Sequence, residues 1–397
     1  MNILFLTLVE INSVEDRGIY QDLLRKFRNE GDDVTIVTPV ERRKGISTNF
    51  GEKEGVSILQ VKTFNIQKTN IVEKGIGTLA IEYQYLSAIK KHIANKKFDL
   101  VLYSTPPITF AKVIEFVKKR DDAKSYLLLK DIFPQNAVDM NMIKNGGFLH
   151  KQFVRKEKKL YKISDTIGCM SSANVDFVLK HNLEVNKSKV ELNPNTIEPL
   201  VFNYSDEQKT QIREKYQIPT NKKVFVYGGN LGKPQGLDFL LETIQATKFN
   251  DAFFLIVGDG TEFPRIQEWF NTTKPGNAKL LQRLSKEDYD QLLSACDVGL
   301  IFLDKNFLIP NFPSRLLSYL EMKMPVIAAT DPNTDIGDII ENANCGYKVI
   351  AGNQEEMQTK LKAILNDDLQ KLGANAEKLL HKEYLVDRSY SLIMEKI

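Results

Sequence analysis

The chain has 397 residues, 42% of them hydrophobic and 26% charged, with 54 Lys and Arg against 51 Asp and Glu. That length exceeds one comfortable core and predicts two domains, while the composition excludes a disordered, collagenous or membrane-spanning protein. Cys169, Cys296 and Cys345 lie far apart without a CxxC pair and the four histidines are equally scattered, which argues against a disulfide framework and a protein-held transition metal.

From the start, residues 3–9 form an apolar run with no basic leader before it, which reads as a buried first strand rather than a signal peptide. No stretch approaches the roughly 18 apolar residues of a membrane span, so a cytoplasmic location is expected. Strands are predicted at 2–9, 33–38, 56–61, 99–104, 125–129, 166–170 and 190–193, with helices at 17–29, 78–94, 108–119 and 150–162. A polar, charged stretch over 204–222 follows, and the series restarts. Strands are predicted at 224–227, 252–257, 278–281, 298–303, 325–328 and 347–350, with helices at 237–246, 262–270, 286–294 and 315–323.

This alternation predicts two doubly wound, Rossmann-like parallel-sheet domains, 1–200 and 201–380, facing across a cleft, with a C-terminal helix over 381–397 returning to the first domain. Ligands of such sheets bind beyond the carboxyl ends of the strands, so the chemistry is expected there.

Residues 1–200 carry 31 Lys and Arg against 24 Asp and Glu, and residues 201–397 carry 23 against 27. The densest basic cluster is Lys151, Arg155, Lys156, Lys158, Lys159 and Lys162, interleaved with apolar residues at helical spacing. Two readings stand: a solvated helix packed by its apolar stripe, or a basic amphipathic helix in peripheral contact with an anionic membrane. The modest charge and the lack of a recognition motif speak against a nucleic-acid partner.

Three strand-to-helix corners suit a phosphate. Gly228, Gly229, Asn230, Leu231, Gly232, Lys233, Pro234, Gln235 and Gly236 leave a strand and approach a helix, where bare backbone and free N–H groups favour an anion. The pattern is not a Walker loop, because Tyr227 and Pro234 stand where a glycine and a Ser or Thr belong. The second corner is Gly258, Asp259, Gly260 and Glu262, with Glu262 facing a ribose or favouring the helix start. The third is Asn311, Phe312, Pro313, Ser314 and Arg315, with Ser314 as N-cap and Arg315 as a fork for diphosphate oxygens.

The stretches YGGNLGKPQGLDFLLE, FLIVGDGTE, LSKEDYDQLLSACDVGLIFL and PSRLLSYLEMKMPVIAA, in that order, resemble the donor domain of family-4 retaining glycosyltransferases of the GT-B fold. The likeness is strongest to bacterial surface-polysaccharide enzymes. In the first half, RGIYQDLLRKFRNEGDDVTIVTP, LLLKDIFPQNAV and DTIGCMSSANVDFVLKH fit the same pattern.

The resemblance implies that Gly229 and Gly232 approach a donor diphosphate, with Lys233 and Arg315 supplying charge. Asn230 and Gln235 stand where the family commonly has Arg and Lys. The family's two glutamates, seven residues apart, fall on Pro310 and Ser318, so Ser318 inherits the ribose contact, with Glu321, three residues on, as a substitute or a plain helix charge. Asp131, just after a strand, is a candidate acid, base or acceptor-positioning group, or a turn cap before Pro134. Arg17 and Gly18 open the first helix on the acceptor or diphosphate side.

The expected reaction transfers a hexose or modified amino sugar from a UDP-sugar to a glycan or lipid-linked glycan. Cations stabilise the leaving phosphate, and a phosphate oxygen takes the acceptor proton as attack comes from the leaving-group side. The nucleotide sugar is a substrate, so no cofactor is expected. No metal is expected either, because the DxD triplet Asp288, Tyr289, Asp290 falls within a helix, and Asp331, Asn333 and Asp335 lack the glycine and terminal glutamate of a calcium loop. Alternatives are a nucleotide-sugar epimerase or phosphorylase of the same architecture and a degenerate domain that only binds nucleotide.

Overall fold

The computed structural model of the protein describes residues 1–66 and 71–397, with side chains for all of these except 71–76, 78 and 79. The chain divides into two compact units, one of Met1–Glu198 with Leu385–Ile397 and one of Pro199–Tyr384.

The first unit runs β1 (Asn2–Leu6), α1 (Ile19–Asn29), β2 (Asp33–Glu41), β3 (Asn49–Lys53), β4 (Val56–Thr63), α2 (Ile71–His92), β5 (Leu100–Ser104), α3 (Ala111–Asp121), β6 (Lys124–Leu129), α4 (Gln135–Asp139), α5 (Phe148–Ile163), β7 (Thr166–Cys169), α6 (Ser172–His181) and β8 (Val190–Leu192). Its sheet has the order β3-β4-β2-β1-β5-β6-β7-β8, parallel except for the β3–β4 pair. β1 and β5 are buried almost throughout, as expected when helices cover both faces of a parallel sheet. α1 buries Tyr20, Leu23, Leu24 and Phe27, a 3.6-residue stripe that joins Ile3, Phe5 and Leu102 in one core.

The second unit runs α7 (Asp206–Lys215), β9 (Lys223–Asn230), α8 (Leu237–Ala246), β10 (Ala252–Asp259), α9 (Phe263–Thr273), β11 (Ala278–Gln282), α10 (Lys286–Ser294), β12 (Val298–Phe302), α11 (Arg315–Glu321), β13 (Val326–Thr330), α12 (Ile336–Asn342), β14 (Gly346–Ile350), α13 (Gln354–Asn366) and α14 (Leu369–Glu383). Its sheet is parallel, in the order β11-β10-β9-β12-β13-β14. α8 buries Leu237, Leu240, Leu241 and Ile244 with the same spacing.

The last helix, α15 (Val386–Met394), belongs to the first unit, packing on α1 through Tyr390 against Phe27 and through Lys26 to Asp387. Each sheet order reverses once, between β1 and β5 in one unit and between β9 and β12 in the other. At such a reversal the connections leave in opposite directions and open a crevice at the strands' carboxyl ends.

The strand pattern differs from expectation at β3, whose five residues are all exposed and pair antiparallel only with β4. With no buried face it lacks the alternation that marks a strand. The stretch expected to be polar linker holds α7, a helix with no buried residue, started by a capping box between Ser205 and Gln208.

Candidate active site

At the reversal in the second unit, the carboxyl end of β9 and the chain entering α11 border a cavity of about 370 Å³. Gly229 turns there with φ of 118°, a conformation that glycine adopts without strain. Gly258 lies beneath on the neighbouring β10, where any Cβ would collide with the Gly229 carbonyl. The two glycines thus let two backbones touch and fix the loop. Leu231 N–H donates to Asp259 O at 3.0 Å, closing the same corner.

Of the residues expected in the donor site, Gly229, Asn230, Gln235, Asn311, Ser314, Arg315 and Ser318 line this cavity together. Arg315 is its focus. The guanidinium lies 4.2 Å from the Tyr227 ring centroid, Nη2 donates to Gln235 Oε1, and Nη1 is buried with no hydrogen-bond partner. No Asp or Glu is among the described residues lining the cavity, although Lys286 also faces it. A guanidinium does not deprotonate in a protein, and a desolvated cation without an anion is costly. The arrangement suits a ligand that brings negative oxygens.

Gln235 explains part of the departure at the glycine loop. Its amide oxygen accepts from Arg315 and lies 3.1 Å from the Tyr227 hydroxyl, so a neutral group, not a second cation, holds the arginine. Tyr319, fully buried on α11, fixes the end of β9, with its hydroxyl 3.1 Å from Leu300 O and accepting from Gly228 N–H at 3.3 Å.

Other expected residues lie elsewhere. Lys233 is exposed on a 3-10 turn of Lys233–Gln235 that intervenes before α8, and Gly232 precedes it, neither lining the cavity. Glu262 is paired to Arg265 at 2.8 Å. Phe312 is buried against Tyr384, with ring centroids 6.1 Å apart. Ser314 precedes α11 but makes no side-chain cap bond. The proposal that Glu321 replaces the ribose-binding glutamate is corrected: this buried carboxylate accepts the Leu200 N–H at 2.7 Å and lines a different cavity. A buried carboxylate needs donors, and the backbone near Leu200 supplies one.

Two residues that the sequence reading passed over as site groups line the cavity, Lys286 and Tyr289, both on α10. The acids of the DxD triplet are engaged: Asp288 pairs with Lys215 at 3.1 Å and Asp290 with Lys286. Asp331 accepts from Asn333 N–H, Thr334 N–H and the Thr334 hydroxyl, a turn built on itself. No cluster of His, Cys, Asp or Glu suited to a metal occurs among the described residues.

In the first unit, Asp131 stands just beyond β6, with Asn136 Nδ2 donating to its two oxygens at 2.7 and 2.6 Å. Burial pushes its carboxyl up to about 6, only partly opposed by the Asn136 bond. Tyr20, also buried, lies within electrostatic reach of Asp131. Among the described residues the preceding Lys130 has no carboxylate partner, its Nζ meeting only the Asn193 and Pro194 carbonyls at 3.5 Å, and burial lowers it to about 7. A lysine ending an apolar strand was the available signal for it. Gly18 is the N-cap of α1 with extended backbone, its N–H 3.4 Å from Asp22 Oδ1, and Arg17 is half-buried before it.

Residues 208–379 match the family described as glycosyl transferases group 1. The probable glycosyltransferase WbjE of Pseudomonas aeruginosa is 23% identical over 319 residues, covering 80% of this chain and 78% of that protein. The putative colanic acid biosynthesis glycosyl transferase WcaI of Escherichia coli strain K12 is 21% identical over 248 residues, covering 62% of this chain and 60% of that one. Among solved structures, sucrose-phosphate synthase from Thermosynechococcus elongatus superposes with a TM-score of 0.75 at 13% identity, covering 100% of this chain and 98% of that one. HepE of Anabaena, solved with UDP and glucose, gives 0.72 at 14% identity, with coverage of 100% and 98%. These structures share the fold of this chain, two parallel-sheet α/β units of the GT-B type.

Proposed function

We propose that this chain of GT-B fold, whose residues 208–379 match the family of glycosyl transferases group 1, is a retaining glycosyltransferase that moves a hexose or modified amino sugar from a UDP-sugar to a glycan or lipid-linked glycan acceptor in surface-polysaccharide biosynthesis. The observation that carries this reading is Arg315, a buried guanidinium with an unpaired nitrogen in a cavity without carboxylates. A donor diphosphate satisfies both needs, and the same charge stabilises the phosphate as the glycosidic bond breaks. The relative named for colanic acid biosynthesis and the UDP bound in HepE support the donor and pathway.

In this reading Ser318 and Asn311 meet the nucleotide, and a phosphate oxygen takes the acceptor proton, so no metal or cofactor is required and chelators leave turnover unchanged. Asp131, with Arg17 and Gly18, belongs to the acceptor side. A thermal-shift screen of UDP-, GDP-, ADP- and dTDP-sugars tests the donor, because selective binding stabilises the fold. Stabilisation by UDP-sugars that Arg315→Ala removes is the expected result; none by any nucleotide sugar defeats the reading. Binding without turnover on any acceptor extract favours instead a nucleotide-binding protein, which Pro310 and Ser318 in place of the family's acids would suit.

The reading includes peripheral contact with an anionic membrane at the cytoplasmic face through the basic helix at 151–162. On α5, Lys158 and Lys159 are paired with Glu184 and Glu115, whereas Lys151 and Arg155 are exposed on the same helix as Phe148 and Leu149, which are 75% and 59% exposed. Apolar tips beside free basic groups suit an anionic lipid surface, so the contact is centred on the first turns of α5. No helix among the described residues is long and apolar enough to cross a membrane.

A further inference from the structure

The cavity beside Arg315 holds a second polar group that the protein leaves without a partner. Tyr289 reaches from α10 over the end of β9, and a Cβ at Gly228 would collide with its hydroxyl and ring. Residue 228 is therefore glycine because a phenol fills the space where a side chain would start. Of the triplet Asp288, Tyr289 and Asp290, the tyrosine alone lines the cavity, the acids being turned to Lys215 and Lys286. Its hydroxyl makes no hydrogen bond to any described residue, and burial raises the phenol well above its ordinary range, so it remains an O–H donor at any working pH. Arg315 lies within electrostatic reach of it.

Two donors that share one cavity without carboxylates, the buried Arg315 Nη1 and the Tyr289 hydroxyl, call for a ligand with two or more acceptor oxygens close together. We propose that Tyr289 is a donor-binding residue whose phenolic O–H donates to an oxygen of the nucleotide diphosphate held by Arg315. This rests on the donor-site reading above. Gly228 then has a dedicated role: it keeps the phenol in place, so the two positions are coupled.

The test is titration calorimetry of the full chain with UDP and with uridine. Tyr289→Phe, which removes only the hydroxyl, is expected to weaken UDP binding about 10-fold, leave uridine binding and Tm unchanged, and raise KM for the nucleotide sugar more than it lowers kcat. Gly228→Ala is expected to weaken UDP binding in the native background and to add nothing in a Tyr289→Ala background. Native UDP affinity in Tyr289→Phe overturns the proposal, as does an equal loss toward uridine, which would place the hydroxyl on the nucleoside. If the native chain does not bind UDP, or Arg315→Ala binds it as tightly as the native chain, the donor-site reading falls as well. If those two results hold and only Tyr289→Phe is silent, the tyrosine assignment falls alone.

Discussion

The Arg315 guanidinium donates through Nη2 to the amide oxygen of Gln235, so the cavity's arginine is held in place by a group that does not cancel its charge. Orientation comes from Gln235 and the Tyr227 face, and the positive charge is left for a ligand.

Gln235→Glu would keep the hydrogen bond and add a negative charge. We expect the fold to be as stable as before or more so, because the buried cation gains an ion pair, while UDP affinity drops about 10-fold or more. Calorimetry with UDP beside a melting curve checks both halves. Unchanged affinity would mean that Arg315 does not meet the diphosphate.

Asp131 titrates near pH 6, above the ordinary value of 3.8, because burial disfavours its charge. Its folded form holds a proton more tightly than its unfolded form, so native stability falls as pH rises from about 4 to 6. Asp131→Asn is therefore expected to raise Tm relative to the native chain at pH 7.5 and to change it little at pH 4. The transfer rate should climb as pH rises through 6 in the native chain and lose that limb in the variant. A native chain whose rate is flat from pH 5 to 7 would mean that the Asp131 carboxylate does not position the acceptor.

Lys130 is shifted the other way, lowered to about 7 by burial without a counter-ion. Below pH 7 the fold must hold a desolvated ammonium, and between 7 and the ordinary value of 10.5 the neutral amine relieves that penalty, so native stability rises across this window. Lys130→Met should stabilise the chain more at pH 6.5 than at pH 9.5. Thermal melts at the two pH values decide it; an equal effect at both would show that packing, not charge, sets the difference.

The exposed tip of α5 predicts lipid binding with a definite composition dependence. Lys151→Glu with Arg155→Glu should reduce co-sedimentation with phosphatidylglycerol vesicles on the order of 10-fold. Phe148→Ser with Leu149→Ser should weaken it further, and neutral phosphatidylcholine vesicles should bind little. Equal sedimentation by native and variant chains would leave α5 an ordinary solvated helix.

Where hydrophobic pattern and burial coincide, the elements could be read directly. α8 and α10 have the predicted bounds, and the buried strands of both sheets fall within a few residues of theirs. Elements without a buried face were illegible: β3 is held by pairing with β4, and α7 by its cap. At the site, Arg315 and Gly229 were visible because a helix-entry cation and a glycine corner each carry a local signature. Tyr289 was hidden, since its importance depends on the missing Cβ of Gly228, distant in sequence. Glu321 was misplaced for a similar reason, because which chain segment a helical carboxylate meets depends on packing that no spacing rule contains.

The parallel bridge of Ile197 with Leu385, closed by Val386 N–H to Ile197 O at 3.0 Å, puts the two points where the chain leaves and re-enters the first unit side by side. Topologically, the second unit is an insertion in the first. A single proteolytic nick within Pro199–Tyr384 therefore severs the backbone while α15 stays packed on α1 of the first unit. Joining residue 198 to 385 through a short turn excises the insert, leaving the α15 anchor on α1 intact and offering a route to the first unit in isolation.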